Sequence, residues 1–199
     1  MLFEPDYDSV YSFSNWVDAL DIFCISGFKM GLFGSLFYVG YVIGSLSFLR
    51  LGDVYGRKWV LVAALTLQTL ILLAFYFVWK QWVFYVLMFL LGFGASVREG
   101  LSYVYAMEML PKKNQITVGS TTFIVDCLPA IMMVVYLTYV SEHWQYFLLL
   151  PLFLTVTALL GIALLLPESP KFLYAKRDFD GARRVLAYMT KVNSVRGIS

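Results

Sequence analysis

Five stretches of the chain, about 31–49, 59–79, 82–107, 116–140 and 145–166, are each long and apolar enough to cross a lipid bilayer. A crossing helix needs about 20 mostly apolar residues to span roughly 30 Å of hydrocarbon. With 60% hydrophobic residues, 14% charged residues and a mean hydropathy of +0.75, a soluble domain of 199 residues has too little interior to hide this apolar surface. Strands fail on length, and the ten-residue alternating segments of a membrane barrel are absent from the sequence. The expected fold class is therefore an all-α membrane protein, a bundle of five transmembrane helices. Short polar separators make successive helices antiparallel. Gly31, Gly34, Gly40 and Gly44 in the first span are spaced for close helix contact.

Charge gives the bundle a direction. Of the 15 Lys and Arg, twelve fall on one side: Arg50, Arg57, Lys58, Lys112 and Lys113 between spans, and Lys171, Lys176, Arg177, Arg183, Arg184, Lys191 and Arg196 after the last. The opposite side holds Lys29 and Lys80 among Glu4, Asp6, Asp8, Asp18, Asp21 and Glu142. Basic loops stay in the cytoplasm, so residues 1–30 are expected to be exoplasmic, 31–166 the bundle, and 167–199 a cytoplasmic tail. An outside N-terminus without a basic leader, followed by an odd number of spans, suggests a helix upstream of this segment. Residues 13–24 have the pattern of a short amphipathic helix, with Phe13, Val17, Leu20 and Cys24 on one side. The tail predicts a surface helix over 178–191, with Asp178 as N-cap, Asp180 in the first turn, and Ala182, Leu186 and Met189 sharing a face.

Charged residues also lie inside the spans. Arg98 precedes Glu108 by ten residues, about 15 Å at roughly 1.5 Å per residue, and Asp126 lies ten residues into the next span. Arg98, Glu99 and Asp126 thus reach similar depth near the midplane, where each would cost about 2.5–3.5 kcal/mol if it faced lipid. They must face one another, the bundle or water. Two readings follow: an Arg98–Asp126 or Arg98–Glu99 bridge that fixes helix packing, or a site for a polar substrate or proton, which transporters place at this depth. Pro129 leaves the Val125 carbonyl without its helical donor, one turn from Asp126. Tyr103, one turn after Glu99, is either a ligand-stacking ring or packing. Cys127 is expected to be a small buried hydrophobe.

No catalytic constellation is present: the one His is His143, no paired carboxylates mark a soluble cleft, and no phosphate-binding loop occurs. Two cysteines are too few for a disulfide scaffold or a cysteine-rich metal site. The chain is not expected to be an enzyme, to carry a cofactor or metal, or to bind nucleic acid.

Three motifs lie in order on the basic side. Gly52-Asp53-Val54-Tyr55-Gly56-Arg57-Lys58 follows the first span, Tyr105-Ala106-Met107-Glu108-Met109-Leu110-Pro111 ends the third, and Pro167-Glu168-Ser169-Pro170-Lys171-Phe172-Leu173 follows the fifth. In the first, Asp53 can accept hydrogen bonds from a helix N-terminus, Gly56 permits a tight turn, and Arg57 offers a bidentate partner for a carboxylate. Glu108 and Glu168 read either as solvated charge at helix ends or as partners of Arg57, Lys58 or the basic tail in a gate latch. The set resembles the major facilitator superfamily, whose loop between helices two and three and whose Pro-Glu-Ser-Pro segment it parallels. Leu49 and Val54 depart from that loop's usual Gly and Arg.

Within the superfamily the chain is most similar to the organic cation/anion transporter branch, with the sugar porters next. Asn15-Trp16, Cys24, Phe28-Lys29 and Ser35-Leu36-Phe37-Tyr38-Val39-Gly40 follow that branch's order, as do His143-Trp144-Gln145-Tyr146 and the tail from Ala182 to Asn193. The resemblance implies helices two to six of a twelve-helix fold, with the first helix, most of an ectodomain, a partner for Cys24 and the C-terminal half elsewhere. It implies a multi-pass plasma-membrane protein that moves a small organic solute, an organic ion above all, by alternating access. Arg98, Glu99, Tyr103 and Asp126 then line the central pathway, and Asp53, Gly56, Arg57, Lys58, Glu108 and Glu168 form the gate. Gln115 stands near the position where many relatives carry Arg. A sugar or polyol porter, and a truncated membrane protein with a structural role, are the alternatives.

Overall fold

The computed structural model describes residues 20, 25–78, 80–140 and 143–192. Its elements are α1 (Gly27–Tyr55), α2 (Arg57–Phe77), α3 (Gln81–Met109), α4 (Lys112–Tyr139), the short α5 (Trp144–Phe147), α6 (Leu149–Leu165), α7 (Pro170–Ala175) and α8 (Phe179–Val192). Among the described residues there is no strand. Five helical segments are long and apolar enough to cross a membrane: α1 to α4, and Gln145–Leu165. The expected amphipathic helix over 13–24 lies outside the described residues except for Leu20, which is buried.

The connections are shorter than the sequence suggests. The expected loop at 50–58 reduces to Gly56 alone, and the one at 109–115 to Leu110 and Pro111. At about 1.5 Å per residue, the 29 residues of α1 reach roughly 44 Å, well beyond the hydrocarbon. Charged residues therefore ride on helix ends that project past the apolar layer, and no coil is needed to carry them.

Helix α3 is the hub, packing on α1 and α2, while α6 packs on α2. The α1–α3 contact is close enough that side chains are excluded at three points. A Cβ on Gly40 would overlap the Phe89 carbonyl, one on Gly44 the Phe93 carbonyl and the Ser96 hydroxyl, and one on Gly92 the Phe37 carbonyl. This is the small-residue packing expected of membrane helices, where close backbone approach supplies the attraction. Gly31 and Gly34, expected to share that role, face open space.

Two apolar clusters hold the bundle. Phe33, Ile71, Phe75, Phe84 and Leu87 form one, with the Phe75 and Phe84 rings 5.1 Å apart and edge-on. Val60, Leu61, Ala64, Leu65, Val97 and Leu101 form the other, nearer the basic end. Helix α4 stands apart: of its residues only Gly119 is buried. Cys127, expected inside, is exposed as a free thiol because α4 turns most of its surface away from the other helices. In the tail, the Asp178 Oδ1 accepts from the Gly181 amide at 2.9 Å, capping α8. Ala182 is buried and Met189 half-buried, but Leu186 turns outward.

Candidate functional site

Halfway along the bundle, Arg98, Glu99 and Ser102 of α3 meet Thr122 and Asp126 of α4 around a cavity of about 180 Å³. Glu99 uses both carboxylate oxygens. Oε1 accepts from Arg98 Nη2 at 3.3 Å, and Oε2 accepts from the Tyr41 hydroxyl of α1 at 3.0 Å. The Ser102 and Thr122 hydroxyls donate to carbonyls of their own helices, Glu99 and Val118. Among the described residues, Asp126 has neither an ion-pair nor a hydrogen-bond partner. The cavity therefore holds one balanced pair and one unbalanced carboxylate. Helix α4 runs unbroken through Pro129, whose missing N–H leaves an acceptor one turn from Asp126.

Tyr103 does not line this cavity. Its hydroxyl lies beside Gly119, and its ring packs on Phe123 with centroids 6.4 Å apart, where α3 and α4 come together. Tyr41, Ser102 and Thr122 were not anticipated. Tyr41 carries a legible signal, a phenol next to Gly40 on the face that meets α3, but its partner lies 58 residues away.

At the basic end a second network ties α1, α2 and α3 to the segment that precedes α7. Arg57 Nη2 pairs with Asp53 Oδ1 at 2.9 Å, and Nη1 with Glu108 Oε1 at 2.5 Å. The other Glu108 oxygen accepts from the Ser169 hydroxyl at 2.5 Å, and Ser169 is fully buried. Arg57 is thus shared between two carboxylates and is not bidentate to one. The side chains of Arg57 and Glu108 are only 15% and 12% exposed, so their attraction is poorly screened by water.

The acid at the N-terminus of α2 is Glu168, not Asp53. Its Oε1 accepts from the amides of Arg57 at 2.9 Å, Lys58 at 3.1 Å and Ser169 at 3.0 Å. Asp53 lies in the last turn of α1 and, among the described residues, accepts from the Arg57 side chain and not from the α2 amides. Glu168 arrives from the segment after α6 and sits on the exposed amides of α2, where a negative charge is favoured. Lys58 contributes its amide to the network, while its ammonium lies 5.6 Å from the Trp59 ring centroid.

Gly56 joins α1 to α2 with φ 104° and ψ 148°, a backbone state that side chains oppose. A Cβ there would also meet the Glu168 carboxylate and the Phe172 ring. On the other side of the turn, Lys176 Nζ donates to the Val54 carbonyl at 2.8 Å, satisfying the C-terminus of α1. The Tyr105 hydroxyl donates to the Pro167 carbonyl. Gln115 Nε2 donates to the Met107 and Leu110 carbonyls at 2.8 and 3.2 Å, so it caps α3 and takes no part in the charge network.

Comparison with known proteins supplies the family. Residues 4–197 match the family described as sugar (and other) transporter. The chain is 30% identical over 195 residues to solute carrier family 22 member 4 of Mus musculus, covering 96% of this chain and 34% of that protein. It is 29% identical over 192 residues to organic cation/carnitine transporter 2 of Mus musculus, covering 96% and 34%. The beta-alanine transporter of Drosophila melanogaster is 28% identical over 191 residues, covering 96% and 31%. The chain spans about a third of the length of these relatives. It is a multi-pass membrane protein that belongs to the sugar (and other) transporter family of the major facilitator superfamily, similar within it to the organic cation/carnitine transporters.

Proposed function

We propose that this chain supplies part of the substrate pathway of a plasma-membrane transporter that moves a small organic ion with a cationic group by alternating access. One observation carries the reading: among the described residues Asp126 is a carboxylate without a partner, facing a cavity in which Arg98 is already balanced by Glu99. A bridge that merely fixed packing would leave no spare charge. The surplus acid attracts a substrate ammonium or a coupling proton. The relatives named for organic cations, carnitine and beta-alanine support this class of solute. A sugar or polyol porter fits less well, because the Ser102 and Thr122 hydroxyls give their one proton each to helix carbonyls and can offer a sugar only acceptors. The network of Asp53, Gly56, Arg57, Glu108 and Glu168, with the Lys58 amide, serves as the latch that closes the basic, cytoplasmic end.

The test is uptake by the full-length transporter that contains this segment, measured beside surface abundance. Asp126→Asn keeps the bulk and removes the charge, so surface abundance stays near normal. Apparent KM for a cationic solute rises roughly 10- to 150-fold, the range for losing one charged hydrogen bond of about 1.5–3 kcal/mol. If Asp126 instead balances Arg98, surface delivery collapses in Asp126→Asn and returns in Arg98→Gln/Asp126→Asn with normal transport. That outcome retires the substrate-site reading.

A further inference from the structure

Glu99 is held in the central cavity by two donors of different kinds. Arg98 precedes it on α3, and neighbouring residues on a helix project about 100° apart, so their side chains do not naturally meet. The contact is accordingly long, 3.3 Å against the roughly 2.7–2.9 Å usual for a guanidinium and a carboxylate. Both side chains are nearly half exposed, at 42% and 45%, so water competes for the same atoms. The second donor is the Tyr41 hydroxyl, which comes from α1, 58 residues earlier, and reaches Glu99 Oε2 at 3.0 Å. Tyr41 itself lies outside the cavity lining. Its backbone is fixed against α3 by the glycine before it, where a Cβ would overlap the Phe89 carbonyl. Its ring stands 6.4 Å from that of Phe37, whose carbonyl meets Gly92 of α3. Asp126, by contrast, rides on α4, of which only Gly119 is buried.

We infer that Tyr41 is a positioning residue for the solute site: its hydroxyl holds Glu99 against Arg98, so that Asp126 stays the surplus charge that recognises a cation. The inference rests on the reading of Asp126 proposed above and names the group that maintains it. Without the hydroxyl, Glu99 keeps one donor, at a long distance, and its carboxylate is free to turn away. Arg98 is then uncompensated across a cavity of about 180 Å³ from Asp126, and its positive charge repels a solute cation at short range. Arg98, Glu99 and Tyr41 all sit on the closely packed α1–α3 pair, so their balance does not depend on where α4 stands. Tyr41 therefore sets the charge preference of a site that it does not line.

The test uses choline and its carbon analogue dimethylbutanol, in which a quaternary carbon replaces the ammonium nitrogen and the shape is kept. Uptake is measured in cells expressing the full-length transporter that contains this segment. Tyr41→Phe removes the hydroxyl and keeps the ring, so surface abundance and maximal rate stay near normal. The KM for choline rises roughly three- to tenfold, the range for the net worth of one hydrogen bond. Inhibition of choline uptake by dimethylbutanol is unchanged, because the alcohol carries no charge for Arg98 to repel. Glu99→Gln raises the choline KM at least as far, and Tyr41→Phe adds nothing to it. An unchanged or lowered choline KM in Tyr41→Phe overturns the inference. So does a parallel weakening of choline and the alcohol, which marks a packing role, or a Tyr41→Phe effect of the same size on the Glu99→Gln background. Asp126→Asn in the same assay separates the two proposals. A raised choline KM there, beside a normal one in Tyr41→Phe, sinks the positioning role alone. A normal choline KM in Asp126→Asn, or no choline uptake by the unaltered transporter, sinks the cation reading and this inference with it.

Discussion

Arg57 holds Asp53 with one guanidinium nitrogen and Glu108 with the other, a division that a lysine cannot reproduce. Arg57→Lys is expected to destabilise the chain by about 1.5–3 kcal/mol, seen as a lower melting temperature in detergent, because one ammonium cannot keep the guanidinium's contact to the buried Glu108 carboxylate while reaching Asp53, which is 68% exposed. An unchanged melting point would mean that the network is ornamental. Gly56→Ala is expected to cost about 1–3 kcal/mol from its backbone angle alone, and more from the collision with Glu168. Gly56→Ala/Glu168→Ala removes the collision and not the backbone cost, so only partial recovery is expected. Full recovery would show that φ does not matter. Both residues were legible, since a Gly-Arg pair between two apolar runs announces a tight charged turn. The role of Glu168 was not, because the amides it caps lie 111 residues earlier in the chain.

Helices differ in how much of their packing a sequence discloses. Gly31, Gly34, Gly40 and Gly44 look equivalent as spacings, yet 100° of rotation per residue puts Gly31 on the face opposite Gly40. Gly44→Leu should therefore pry α1 from α3, costing about 1–3 kcal/mol as overpacking against backbone that cannot move aside. Gly34→Leu, pointing into open space, should leave the melting temperature unchanged. Equal effects would contradict the α1–α3 register. Helix α4 misled in the same way. Its apolar run is as good as the others, but Cys127 and its neighbours face outward, and no local pattern distinguishes an outward apolar face from a buried one in a membrane chain.

For the molecule as a whole, the number of spans was plain, because each needs a long apolar run and the bilayer tolerates no exposed backbone, whereas their ends were not, because helix continues past the apolar run. The orientation proposed from charge has a direct check. In cells, a cysteine introduced at Ser12 should react with an impermeant reagent from outside, and one at Ser194 should not. The reverse pattern would defeat the assignment of the basic end to the cytoplasm. Transport should also need more than this segment. The cavity at Arg98, Glu99 and Asp126 is walled by α3 and α4, with Tyr41 of α1 reaching Glu99, and most of α4 has no helix against it. Vesicles containing residues 1–199 alone should show no saturable uptake of an organic cation. Robust uptake by the segment would overturn that expectation.

The cap on the turn at Gly56 also has a schedule. Glu168 lies 111 residues after the Arg57 amide it accepts, and Lys176 lies 122 after the Val54 carbonyl it reaches. At roughly 5–20 residues per second, a ribosome needs about 6–22 s between making the turn and making the acid that completes it. During that interval α1 and α2 leave the translocation machinery joined by Gly56, with the amides at the start of α2 lacking the carboxylate that later caps them. The nascent chain therefore passes through a window in which the α1–α2 hairpin is held by apolar contacts and the Asp53–Arg57 pair, without its carboxylate cap. A chaperone or protease that surveys unfinished membrane proteins would meet this turn open, and would find it closed only after α6 had been made.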